Sequence, residues 1–169
     1  VVIGELATYQ IVVTVPEGMV PNAQIVDTLD NGLAFVSCLS VVRSSSDLTT
    51  SYGNHDFSDM CTPPTSPPPT NPTITNTGHT ATWDLGTITN ANRDNSVAET
   101  LTIQYTVVAL NITGNQSGTL LNNSARYSWT GAPGGSVTRS APNVTVIESN
   151  VNIAKTVSPA TGDAGDPIT

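Results

Sequence analysis

The sequence predicts an all-β chain folded as an immunoglobulin-like β-sandwich of about seven strands. Three observations lead there. Thr, Ser, Asn, Val, Gly and Pro dominate while Lys, Arg and Glu are scarce, so the straight-chain helix formers are missing and β-branched and turn residues are abundant. Several segments alternate polar and apolar side chains with the period of two that a half-buried strand requires. Clusters of Gly, Pro, Asn and Asp separate those segments at the spacing of a sandwich, and 169 residues suffice for one substantial core.

The elements follow in order. Ala7 to Val15 alternates, carries aromatic and β-branched side chains, and stops at Pro16-Glu-Gly18. Ala23 to Leu29 is the next strand; Asp30-Asn-Gly32 turns the chain, its Asn-Gly supplying positive φ, and Leu33 to Ser37 returns. From Arg43 to Asn76 the pattern dissolves into Ser, Thr and Asp and then into Pro63-Pro-Thr-Ser-Pro-Pro-Pro69, whose prolines supply no ladder N–H groups. This predicts a surface insertion over about 38–76. Strand character returns at His79 to Leu85, Glu99 to Ala109, Asn123 to Trp129 and Asn143 to Ile147. Val151 to Pro159 reads as one more strand, followed by a turn-rich stretch to Pro167 with no later strand to pair with. The expected organisation is a sandwich over 1–149, with 150–169 opening a following unit.

Charge and composition exclude several functions. Five basic against thirteen acidic residues give a formal charge of -8, which offers nothing to neutralise phosphates, so nucleic acid is not an expected partner. The longest apolar runs, such as Ile11 to Val15, fall far short of the ~20 residues of a bilayer span, and no signal peptide is present. The expectation is a mature segment whose leader or anchor lies outside it. Cys38 and Cys61 bracket a segment with little hydrophobic material to hold it, and a disulfide there would contribute ~3 kcal/mol and imply an oxidising compartment. His55 and His79 do not sit at zinc-ligand spacing with the cysteines. Neither histidine has a partnered nucleophile, and the serines lie in loops without a nucleophile elbow, so no enzyme and no cofactor is expected.

Several blocks resemble the bacterial surface repeats of the DUF11-like and fimbrial isopeptide-forming (D2-type) families. They are Lys155-Thr-Val-Ser-Pro159, Gly165-Asp166, Thr8-Tyr-Gln-Ile11, Val26-Asp-Thr-Leu29 with Gly32-Leu-Ala-Phe-Val36, Trp83-Asp-Leu-Gly86 and Leu121-Asn-Asn-Ser-Ala125. Nearly the whole chain is covered except Cys38 to Pro72. The order differs in one respect: the block that opens a family unit stands here at the C-terminus. The resemblance therefore implies that each sandwich is completed by a strand from the adjacent unit, either in one repeat protein or between separate subunits of an extracellular, cell-surface filament, pilus or stalk. Its partners would be identical neighbouring units.

The isopeptide-forming relatives join a Lys on the opening strand to an Asn on a late strand with an acid assisting. By resemblance these are Lys155, Asn123 and Asp27, which would make a single self-modification and no turnover. Glu5 and Asp30 remain alternative acids, and Asn122 adjoins Asn123 on the opposite strand face. The same residues also fit a structural role, with Lys155 at a strand edge, Asp27 capping the turn and Asn123 bonding backbone groups.

Weaker signals complete the reading. Asn-x-Ser/Thr sequons begin at Asn111, Asn115, Asn122 and Asn143. Asp163 with Asp166, or Asp94 near Asn92 and Asn95, offer calcium-type oxygens without EF-hand spacing, and no metal site is expected. Trp83, Trp129 and Tyr127 would suit a sugar platform, although Trp83 sits in a core block. The alternative function is an adhesin module that binds carbohydrate or another surface through the 38–76 insertion.

Overall fold

The computed structural model describes residues 1–61, 72–94, 96–148, 151–158, 162, 164 and 165. It is an all-β sandwich: eleven strands and no α-helix among the described residues. One sheet is three-stranded, with β1 (Leu6–Thr14), β7 (Thr100–Ala109) and β3 (Leu33–Arg43) in the order β1-β7-β3. The larger sheet runs β10 (Gly135–Ser140), β9 (Asn123–Trp129), β2 (Gly18–Leu29), β6 (Thr80–Asn90), β4 (Leu48–Thr50), and β5 (Thr73–Thr75) also pairs β6. A short pair, β8 (Leu120–Leu121) and β11 (Val144–Thr145), closes one end.

Alternation accounts for the core. Along β7 the residues Leu101, Ile103, Tyr105, Val107 and Ala109 are buried and the residues between them are half-buried. Ile25 on β2 and Trp83, Leu85 and Ile88 around β6 face them from the larger sheet. Trp83 bridges the two layers, edge-on to Phe35 at 6.1 Å and tilted on Tyr105 at 5.3 Å.

Two expectations change. Residues 43–76 do not simply form a surface loop: Leu48 and Thr50 on β4, then Phe57 and Met60, are buried, and the Cys38–Cys61 disulfide ties the segment back to β3. Sparse apolar residues among Ser, Thr and Asp carry that packing, so periodicity could not show it. The proline run 62–71 lies outside the described residues. The strand count exceeds seven because β4, β5 and β8 are two or three residues long and β10, exposed along most of its length, has one large apolar residue, Val137; the strand expected at Asn143 to Ile147 is present as the short β11. Separately, residues 151–158 carry no strand and are exposed throughout, and the expectation that they open a following unit is not tested by a single unit. An extended segment needs a ladder partner to become a strand, and no strand among the described residues pairs with it.

Candidate functional site

Strict alternation in the second half of β2 carries an acid into the core. Ala23, Ile25, Asp27 and Leu29 are all buried, and Asp27 is 0% exposed. Its cross-strand partners are Ala125 on β9 and Ala81 on β6, so each neighbouring strand presents only a methyl group at its level. Asn123, opposite Leu29, is the next inward residue on β9 and is 3% exposed. From the facing sheet come Tyr105 and Tyr9, directly paired on β7 and β1, with rings stacked at 5.9 Å. The Asn123 Nδ2 donates to the Tyr105 hydroxyl at 2.8 Å.

Burial pushes the Asp27 carboxyl up to about 7, and the nearby Tyr105 hydroxyl and Asn123 amide draw it only part of the way back. Tyr105 is raised well above the usual phenol range by burial and by the adjoining carboxylate, and Tyr9 is raised for the same reasons. Neither Asp27 oxygen has a donor at hydrogen-bonding geometry, and the Asn123 Oδ1, the Tyr9 hydroxyl and the Trp83 Nε1 also lack partners. So many unpaired polar atoms around one carboxyl in an apolar core is unusual, since buried polar groups are ordinarily satisfied. The cluster has an acid, an amide held by one hydrogen bond, and no cation.

Lys155, the chain's only lysine, is exposed in the tail, so within one unit it is not brought to Asp27 and Asn123. The alternative acids lie elsewhere. The Glu5 Oε2 accepts from the Val2 backbone N–H at 2.7 Å on the surface, and the Asp30 Oδ1 accepts from the Gly32 N–H at 3.2 Å. Asp30, and not Asp27, thus caps the turn. Tyr105 and Tyr9 were not singled out by the sequence; the signal was a hydroxyl-bearing ring within each otherwise apolar inward row of β7 and β1.

The remaining candidates separate by burial. Cys38 and Cys61 are disulfide-bonded, with Cα atoms 5.2 Å apart. Asn115 is buried and its Nδ2 donates to the Gly32 and Leu110 carbonyls at 2.8 Å each, so it cannot accept a glycan in the folded unit. Asn111, Asn122 and Asn143 are exposed, with the Asn122 Nδ2 donating to the Asn143 Oδ1 at 3.0 Å. Asp94 makes a local turn, its Oδ1 accepting from the Ser96 backbone N–H and hydroxyl, and these bonds hold its carboxyl below the usual range. Among the described residues, no three His, Cys, Asp or Glu side chains come together to hold a metal ion; Asn95, Asp163 and Asp166 lie outside them. Trp83 is 0% exposed and is core, not a sugar platform. Tyr127 and Trp129 do pair, at 5.4 Å, half-buried along β9. No helix among the described residues is long and apolar enough to cross a membrane.

No family model matches the chain, and no curated protein matches it. Among solved structures it is similar to BcpA, the major pilin subunit of Bacillus cereus, at 16% identity and a TM-score of 0.48, over 86% of this chain and 36% of that one. Domains D2 and D3 of the major pilin SpaD from Corynebacterium diphtheriae superpose at 14% identity and a TM-score of 0.47, over 84% of this chain and 46% of that one. The collagen-binding domain of the Erysipelothrix rhusiopathiae surface protein RspB gives 16% and 0.42, over 84% and 41%. The chain spans less than half the length of each.

Proposed function

We propose that the chain is a structural subunit or repeat of an extracellular filament, pilus or surface stalk, joined to its neighbour by strand complementation and by an isopeptide bond. The bond runs from the Lys155 Nζ of one unit to the Asn123 Cγ of the next. One observation carries this reading: a fully buried carboxyl and amide with unpaired oxygens, in a chain whose single lysine lies outside the core. A lysine from a neighbouring unit supplies the missing group.

The chemistry follows from the environment. An amine entering an apolar site loses its proton more readily than in water, and an acid raised to about 7 is substantially protonated at neutral pH. The protonated Asp27 donates to the Asn123 Oδ1, which has no other partner, and polarises the Cγ carbonyl. The neutral Nζ attacks Cγ, Asp27 carries a proton from Nζ to Nδ2, the Cγ–Nδ2 bond breaks and ammonia leaves. Tyr105, bonded to Nδ2, orients the leaving group. Nothing is oxidised or reduced, and the two side chains lose one ammonia in total.

The adhesive reading through residues 38–76 has less to support it, because Phe57 and Met60 of that segment face the core. To test the proposal, the native assembly is boiled in detergent with reductant and its peptides are weighed. A Lys155 peptide joined to an Asn123 peptide and lighter by one ammonia is expected; an unmodified unit mass with both peptides free sinks the crosslink.

A further inference from the structure

The sandwich is open along one side. β1 bonds only to β7, so its outer edge is free, and opposite it β9 and β10 extend the larger sheet beyond β1. Between them lies a groove of about 860 Å³, with Ile11 and Val13 on one wall, Ile25 at the floor, and Tyr127, Trp129 and Val137 on the other. The opening shows in the burial of β1: its inward residues Ala7, Tyr9 and Ile11 are only half-buried, whereas their partners Val107, Tyr105 and Ile103 on β7 are 0% exposed. The Tyr127 hydroxyl at this wall is buried without a partner, and burial pushes it up to about 12.

The same chain carries a segment of matching pattern. In an extended backbone Val151, Ile153, Lys155 and Val157 share one face. Val151 and Ile153 are 89% and 91% exposed, and Val157 54%, an arrangement that free apolar side chains do not favour. Resting on the filament reading above, we propose that residues 151–157 of a second copy add to the edge of β1 as an antiparallel strand, with Val151 and Ile153 filling this groove. Lys155 then stands opposite Tyr9, Ile153 opposite Ile11, Val151 opposite Val13 and Val157 opposite Ala7.

This register follows from two spacings. Tyr9 lies at the level of the Asp27–Asn123 pair, since it stacks on the ring that binds Asn123. Ile11 and Val13 are the next two inward residues of β1, two and four positions away, and Ile153 and Val151 stand at the same two and four positions from Lys155. Strand residues two apart are ~7 Å apart on the same face, so the apolar side chains meet the groove whenever the lysine meets the acid. A parallel strand with Lys155 at Tyr9 would bring Val157 to Ile11 and Pro159, which has no ladder N–H, to Val13, and would leave Val151 and Ile153 outside the groove. The register explains why one lysine and three apolar residues alternate in a tail whose residues 151–158 are all exposed.

Sedimentation of the full chain and of Ile153→Asp, which alters only an exposed tail residue, tests the groove. The unaltered chain is expected to associate head to tail with rising concentration and Ile153→Asp to stay monomeric, while a synthetic 151–158 peptide shifts the amide resonances of Ile11, Tyr127 and Val137 in Ile153→Asp. A chain that is monomeric throughout, an Ile153→Asp chain that associates equally well, or a peptide that leaves those resonances unmoved overturns the proposal. Lys155→Ala separates it from the crosslink. If Lys155→Ala associates and the unaltered chain's assemblies dissolve in hot detergent, the groove stands and the isopeptide fails. If Lys155–Asn123 peptides form as readily in Ile153→Asp as in the unaltered chain, the isopeptide stands and the groove fails.

Discussion

The two sides of the sandwich are finished differently. On the side of β3 and β4, the chain closes its own gap: the segment after β4 sends Phe57 and Met60 into the core and returns to β3 at the Cys38–Cys61 disulfide. On the side of β1 and β10 none of the described residues closes it: an apolar groove lies there, and the Asp27 oxygens and the Asn123 Oδ1 are buried without partners. A free sheet edge over an apolar face is a hazard unless something is meant to cover it. The difference teaches that one side is finished within the unit, while the other is where the proposed joining to a second copy would act.

The largest effect that would break this contrast comes from the open side. Lys155→Arg, at an exposed position, should abolish the detergent-resistant ladder entirely, because a guanidinium stays protonated and is no nucleophile; denaturing electrophoresis reads it directly. On the closed side, Phe57→Ala should cost about 3–5 kcal/mol in urea unfolding, as a fully buried ring leaves a cavity. Only the unit's own stability should fall there, with the crosslink chemistry intact where the fold survives.

Asp27 sharpens the comparison through pH. Its folded value of about 7 lies above the ordinary 3.8, so its contribution to stability is fully present below about pH 4 and is lost as the pH rises through 7. In the uncrosslinked Lys155→Ala chain the melting temperature should therefore fall between pH 5 and pH 8, by an amount corresponding to a few kcal/mol. Adding Asp27→Asn should flatten that dependence. Reducing the disulfide, or the pair Cys38→Ser and Cys61→Ser, should cost about 3 kcal/mol with no effect on the pH profile. Smallest of all, Tyr105→Phe removes one hydrogen bond to Asn123 and should cost about 1 kcal/mol, with slower crosslinking because the amide is no longer held.

The sheets were legible from alternation, and β1, β2, β3, β6, β7 and β9 appear where two-residue periodicity placed them, with shifted ends. What escaped was structure without period. Phe57 and Met60 are isolated apolar residues in a polar stretch, and nothing local tells a plug from a loop. Asp27 and Asn123 were singled out by resemblance and not by period, although each stands in an inward, mostly apolar row; the tyrosines beside them looked like ordinary core rings. The groove could not be read at all, since it is a property of which strands become edges. The tail is the converse case: its pattern reads as a strand, but a strand requires a ladder partner, and none of the described strands supplies one.

The most direct measurement is a cryo-microscopy map of the assembled form, at a resolution that shows side chains, centred on Asn123. The account predicts a strand from a neighbouring unit beside β1 and continuous density from the Lys155 Nζ to the Asn123 Cγ at amide bond length, about 1.3 Å. An empty groove, or a filled one with Lys155 directed to solvent and the Asn123 amide intact, would contradict it.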